Sequence, residues 1–239
     1  MMSSPVGLSA QVSIESLESR AIRFVNTSNL FGLPGAGALS DGAKRGFDVV
    51  VAALLLLVAL PLIAAMAAAV AVRGGSPLYG HERVGRGGRG FRCWKIRTMH
   101  RDADARLAGL LRSDAACRRQ WAAGRKLSPD PRATRLGRWL RRTSLDELPQ
   151  LWNVLAGEMS LVGPRPVTRE ELGLYGASAG HYCAVRPGIT GAWQVFRRAD
   201  TTYAERVALD RAYVEGRSLG GDLLLLAMTL RVPFAPNRD

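Results

Sequence analysis

Cysteine is nearly absent from this chain: Cys93, Cys117 and Cys183 are the three in 239 residues, widely spaced and odd in number. That argues against a disulfide framework and fits a reducing compartment. Histidine is equally scarce, and His81, His100 and His181 do not combine with the cysteines at zinc-finger spacing; His181 and Cys183 are a lone pair, too few for a structural zinc. Acidic charge is also short, with 20 Asp and Glu against 33 Lys and Arg, a net charge of +13. A field of that sign attracts phosphates, whether in nucleic acid, anionic lipid or a nucleotide. The excess is local: Arg83 to Arg142 holds eighteen Lys and Arg against four Asp. That window and Trp94, Trp121 and Trp139 would suit a membrane-tethered nucleic-acid binder, but no recognised nucleic-acid module accompanies them. No apolar core follows a basic N-terminal cluster, so a secretory signal is not supported.

Polar side chains are missing altogether from Val49 to Val72, twenty-four positions flanked by Lys44-Arg45 and Arg73. About 20 helical residues cover about 30 Å of hydrocarbon, so this run reads as membrane-embedded. Pro61 stands at its middle, removing a backbone donor and disturbing the preceding turn. A kink there divides the run into arms of about 12 residues, each about 18 Å long, roughly half the hydrocarbon thickness. Basic residues at both flanks favour a cytoplasmic location for both ends, so the segment is expected to be re-entrant.

The first 43 residues are rich in Ser, Gly and Ala and read as a mobile arm, with IESLESRAIRFV as a short amphipathic helix within it. After the membrane segment at 44–73, Gly-rich turns between short aromatic and apolar runs predict a β hairpin. Residues 102–125 read as helical, SPDP leads into a basic amphipathic stretch, and an apolar helix between Asp222 and Arg231 is too short to span. The expected fold is therefore α+β and mainly helical. It has a membrane-embedded, proline-kinked, re-entrant helix, then a small cytoplasmic catalytic domain at 74–239 with a short β hairpin and interfacial helices.

Within SLDELPQLWN at 144–153, Asp146 and Glu147 are adjacent carboxylates in a basic protein. Ser144 and Glu147 fit a capping box, although Pro149 would then lie deep in the helix; a start at Asp146 would put it in the first turn. Helix capping and chemistry both remain open from these residues, since an ionised carboxylate beside a phosphate site can ligate Mg2+ or act as a nucleophile. GPRP at 163–166 and RPG at 186–188 each hold an arginine beside prolines, suited to presenting a planar fork to phosphate oxygens.

KRGFD at 44–48, GSPLYGHERVG at 75–85, FRCWKIRTM at 91–99, SLDELPQLWNVLAGEMSLVGPRP and RPGITGAWQV together resemble the bacterial sugar transferase family, from about Lys44 to about Arg231. It is most similar to the short members that initiate exopolysaccharide synthesis. The resemblance implies a monotopic phosphoglycosyl transferase of the bacterial inner membrane, its catalytic domain on the cytoplasmic face. Such an enzyme moves a sugar 1-phosphate from a UDP-sugar, galactose or glucose being the natural guesses, to undecaprenyl phosphate, and releases UMP. It implies Asp146 as nucleophile and Mg2+ ligand, with Glu147 assisting. Lys95 and Arg141 would line the phosphate site, as would Arg97. Pro164, Arg165 and Pro166 would stand near the nucleotide or product phosphate, with Arg186. Membrane lipid is the implied surround, nucleic acid is not a partner, and a homo-oligomer is left open. Two departures stand out. Leu60 precedes Pro61 where relatives often have serine, and Phe196-Arg197-Arg198 stands where Ser-Gly-Arg is usual. The second motivates a rival reading as a catalytically weakened assembly scaffold.

Overall fold

The computed structural model describes residues 41–72, 74–124, 127, 129–197 and 201–231; the expected arm up to residue 40, its amphipathic stretch, Arg73 and Arg198 lie outside the described residues. The apolar run forms most of one helix, α1 (Asp41–Ala71), which opens three residues before the boundary expected at Lys44. Its helical backbone continues through Pro61. It is long and apolar enough to cross a membrane, and one face is bare: Leu57 is 71% and Val58 78% exposed. The opposite face packs onto the rest of the protein through Ala52, Met66 and Val70.

Two strands follow, β1 (Leu78–Val84) and β2 (Gly90–Ile96), paired antiparallel from Leu78 opposite Ile96 to Val84 opposite Gly90. This is the expected hairpin. Gly87 and Gly88 have φ of 69° and 75° in its turn, a region that side chains with a Cβ avoid. The helical stretch expected at 102–125 is two helices, α2 (Ala103–Ser113) and α3 (Ala115–Gly124). They separate at Asp114, whose carboxylate accepts from the amides of Ala116 and Cys117 and so restarts the chain as a new helix.

The basic stretch is α4 (Arg135–Thr143), capped by the Thr134 hydroxyl. Next come α5 (Gln150–Ala156) and β3 (Ser160–Val162), then α6 (Arg169–Gly173), α7 (Ala179–Ala184) and β4 (Gly188–Thr190). Three helices complete the order: α8 (Ala192–Phe196), α9 (Tyr203–Gly216) and the apolar α10 (Leu219–Thr229). The architecture is mainly helical with two small sheets. The second sheet, a parallel pairing of β3 with β4, has strands of only three residues and no counterpart in the sequence reading.

The main core joins α5, β3, α8, α9, α10 and the first half of α1 around Val154, Leu161, Leu209 and Leu225. A second cluster sets Met66 and Val70, from the other half of α1, against Ile96 and Leu140. Polar contacts reinforce the first junction. Lys44 Nζ lies 2.8 Å from Asp48 and 2.7 Å from Asp222, while Arg45 donates to the carbonyls of Val154 and Leu155, which a helix end leaves in need of donors. At the far end, the Gly75 amide donates to Val70 O at 3.4 Å.

Candidate active site

Between α4 and α5 the chain makes one tight turn. Ser144 ends α4 with φ 57°, the sole non-glycine residue at positive φ among the described residues, and Leu145–Glu147 form a short 3-10 turn. The capping-box reading of Ser144 and Glu147 is therefore corrected: an N-cap needs extended backbone, whereas Ser144 is left-handed and its side chain makes no cap bond. Nor does the helix start at Asp146; α5 begins at Gln150, with Pro149 just before it, where its missing N–H costs nothing. The turn is held from below by Asn153. Its Nδ2 donates to Arg92 O at 2.7 Å and its Oδ1 accepts from the Trp94 amide at 3.0 Å, which docks α5 on β2.

Asp146 is buried, 7% exposed. Burial pushes its carboxyl up to about 6; the charge of Glu147 adds to this, while Lys95 and Arg141 oppose it. Glu147 instead turns to Lys95 on β2, with Oε1 2.7 Å from Nζ. Arg141 donates from Nε to the Thr98 hydroxyl at 2.8 Å and lies 3.4 Å from Asp130, which also takes two bonds from the Arg132 guanidinium and one from its amide. Of the two cations that act on Asp146, Lys95 is thus paired with Glu147, and Arg141 is fixed by Thr98 and Asp130.

Lys95 and Glu147 open onto a cleft of about 290 Å³ whose wall also includes Arg83, Arg165, Pro166, Gln150 and Gln194. Arg83 is steadied by Glu171 at 2.8 Å and by His81 Nδ1 at 2.8 Å. The backbone oxygen of Arg165 accepts from Arg206, whose guanidinium lies over Trp193. Pro164 contributes through its backbone, its carbonyl accepting from the Gly188 amide at 2.8 Å. The structure thus brings together Lys95, Glu147, Arg165 and Pro166, with Asp146 and Arg141 adjoining.

It does not bring in Arg97 or Arg186. Arg97 donates to Ser76 O and covers the Tyr79 ring, and it is not part of the cleft wall. Arg186 donates to Gly157 O at 2.8 Å and lines a different, larger cavity of about 510 Å³ with Lys44, Arg86 and Arg217. Neither size nor charge decides between the two cavities, because the larger is also lined by Asp41, Asp48 and Asp222; the smaller is the one that Lys95 and Glu147 line, with Asp146 next to them in the chain. Arg83, Gln150 and Gln194 are cleft residues that the sequence reading did not select, although each lies inside a motif it quoted.

No group of three or more His, Cys, Asp or Glu capable of holding a metal occurs among the described residues. A Mg2+ ion needs less, because it commonly takes one or two carboxylates and completes its shell with substrate phosphates and water. Asp146, a carboxylate raised by burial with an acidic neighbour, is a donor that a divalent cation would return to its ionised form. The residues fit such an ion.

A family model described as bacterial sugar transferase matches residues 39–236. The chain is 48% identical over 189 residues to a UDP-galactose-lipid carrier transferase of Erwinia amylovora, covering 79% of this chain and 40% of that protein. It is also 48% identical to the exopolysaccharide production protein ExoY of Rhizobium meliloti, with 79% and 84% covered. A third relative is an undecaprenyl-phosphate galactose phosphotransferase of Salmonella typhimurium, 45% identical over 79% of this chain and 40% of that protein. The match thus spans about two fifths of the first and third proteins and most of the second.

Proposed function

This chain belongs to the bacterial sugar transferase family, and from that membership we propose that it transfers a sugar 1-phosphate from a UDP-sugar to undecaprenyl phosphate, as the first step of exopolysaccharide synthesis. The observation that carries the reading is the buried Asp146, under the charges of Lys95, Glu147 and Arg141, next to a cleft that Glu147 and Lys95 line together with Arg83 and Arg165. Phosphoryl transfer needs mainly positioning and charge neutralisation, which this set supplies.

In the proposed mechanism an Asp146 carboxylate oxygen attacks the sugar-bearing phosphorus. The bond from that phosphorus to the bridging oxygen breaks, UMP leaves with the bond electrons, and a phosphosugar remains on Asp146. A phosphate oxygen of undecaprenyl phosphate then attacks the same phosphorus and frees the carboxylate. Lys95 and Arg165 neutralise phosphate charge, and Glu147 holds Lys95 in place and handles protons. Asp146, with Glu147 beside it, would hold Mg2+, which when bound supplies further neutralisation of the diphosphate. Purified protein with undecaprenyl phosphate and UDP-galactose or UDP-glucose should release UMP. Absence of UMP across a panel of UDP-sugars, from folded protein, would defeat the proposal.

The same reading places both ends of α1 at the cytoplasmic face of the inner membrane. Support comes from one body of protein gripping both halves of the helix: Lys44 and Arg45 at one end, Met66 and Val70 at the other. A straight helix of 31 residues would reach about 46 Å, so a spanning arrangement would carry Lys95, Arg97 and Arg141, the charged chain neighbours of Ile96 and Leu140, toward hydrocarbon. A bend at Pro61 resolves this. We expect a cysteine placed at Ser4, with Cys93, Cys117 and Cys183 replaced by alanine, to resist a membrane-impermeant thiol reagent in intact spheroplasts and to react after lysis. Labelling before lysis would mean a full span.

A further inference from the structure

The carboxyl ends of β3 and β4 lie side by side and run into the two segments that wall the cleft, Pro164–Pro166 after β3 and Gly191–Gln194 after β4. Ligands commonly bind beyond the carboxyl ends of parallel strands, because the loops there are free to carry specific side chains on a fixed base. Here the base is rigid. The Gly163 amide donates to Thr190 O at 2.9 Å and the Gly188 amide to Pro164 O at 2.8 Å. A Cβ on Gly191 would overlap the Gly163 carbonyl, so the two segments touch backbone to backbone. Gln194 on α8 is therefore held at a set distance from Arg165.

The Gln194 amide is oriented by its donor end, Nε2 facing Ile189 O at 3.5 Å. Its acceptor end, Oε1, is buried and receives no hydrogen bond. Of the buried side-chain polar atoms in that condition among the described residues, it alone belongs to a residue of the cleft wall. Burying an acceptor without a donor is costly, and native proteins keep such atoms where something else will satisfy them. Most of the other polar groups on that wall are charged: Arg83, Lys95, Arg165 and Glu147. They suit phosphates, but a nucleotide sugar also presents neutral N–H and O–H donors, and these call for a neutral acceptor.

We propose that Gln194 positions the donor substrate, its Oε1 accepting a hydrogen bond either from the imide N–H of the base or from a hydroxyl of the sugar. The inference rests on the phosphoglycosyl transfer reading above and adds a contact to it. The test compares full-length wild type with Gln194→Met, which keeps the side-chain length and removes the amide. KM and kcat are measured for UDP-galactose and UDP-glucose, inhibition by UMP is measured alongside, and the melting temperature is taken without ligand.

Gln194→Met should raise KM for the accepted UDP-sugar roughly tenfold or more, with a smaller change in kcat. Its melting temperature should change little, because the loss of the long contact to Ile189 O is offset by removal of a buried unpaired acceptor. An equal weakening of UMP inhibition identifies the base as the donor; unchanged UMP inhibition with raised KM identifies the sugar. A KM within about twofold of wild type overturns the inference. So does a lowered melting temperature with KM unchanged in the surviving folded fraction, which would mean a packing role. A wild type that neither turns over any UDP-sugar nor is bound by UMP defeats the reaction itself; an active wild type matched by its variant defeats only the role of Gln194.

Discussion

Asp146→Asn should abolish turnover while leaving the protein folded. An amide is neither a useful nucleophile nor a strong Mg2+ ligand, so kcat should fall at least about a thousandfold, equivalent to about 4 kcal/mol of barrier. With UDP-sugar and no lipid acceptor, wild-type enzyme should release about one equivalent of UMP and carry a phosphosugar visible by intact mass after acid quench. The variant should show neither. Retention of more than about a tenth of wild-type kcat, a loss under about 1.4 kcal/mol, would remove Asp146 from the nucleophile's role.

Acidity supplies a second reading of the same residue. Burial raises the Asp146 carboxyl from 3.8 to about 6 in the folded protein, so the protonated form is the one that folding favours. The contribution to stability is present at low pH and is lost as pH rises through that interval, up to about 3 kcal/mol. Asp146→Asn escapes this loss and should melt higher than wild type near pH 8 in the absence of Mg2+. Activity runs the other way. The acid limb of kcat/KM should fall as pH drops through about 6, and should move lower as Mg2+ is raised. A profile flat from pH 5 to 8 would argue against ionised Asp146 as the attacking group.

Lys44→Met should cost more stability than any other single change at the root of α1. Lys44 is the shared cation of two buried carboxylates, Asp48 and Asp222, each of which has further partners. Asp48 accepts from the Ser160 hydroxyl at 2.8 Å and the Leu161 amide at 3.3 Å; Asp222 accepts from the Tyr213 hydroxyl at 2.8 Å. Burial already raises the Asp222 carboxyl, and Lys44 is the main influence opposing that. Removing one member of such a set leaves uncompensated buried charge and costs about 3–5 kcal/mol, a large part of a total of about 5–15. The melting temperature in detergent or nanodiscs should drop by roughly 6 °C or more. Because protonation relieves the stranded Asp222 carboxylate, the deficit should shrink from pH 8 to pH 5, and adding Asp48→Asn and Asp222→Asn should restore much of the loss. A single variant melting within about 2 °C of wild type would show the cluster to be dispensable.

The features legible in the sequence are those written in local signals. An unbroken apolar run announces α1 whatever its surroundings, and the glycines of RVGRGGRG announce the turn between β1 and β2. Asp146 and Glu147 were legible as a pair. Their backbone was not, because Ser144 adopts a left-handed conformation that serine rarely takes and that its sequence neighbours do not signal. The pairing of β3 with β4 was hidden for another reason: three-residue strands carry no alternation, and their hydrogen bonds are with residues distant in the chain. Arg165 and Arg186 looked equivalent because proline flanks both. Proline fixes φ and leaves the direction of its neighbour's side chain to the surroundings, and the two arginines reach different cavities. Gln194 carried no signal in its spacing; its buried, donorless oxygen exists only in three dimensions.

The clamp at Lys44 also sets an order of events during synthesis. The apolar helix leaves the ribosome well before Asp222, which completes the ion cluster at its root and lies on α10. Until α10 is released, Lys44 lacks the second of its two carboxylates, and the inward face at Ala52 and Leu56 lacks the layer that α9 and α10 provide. Synthesis of α1 therefore precedes its anchoring. A nascent chain halted before Asp222 would have the Asp146 turn already made but the root of α1 unlocked, a partly folded species for quality-control proteases to recognise.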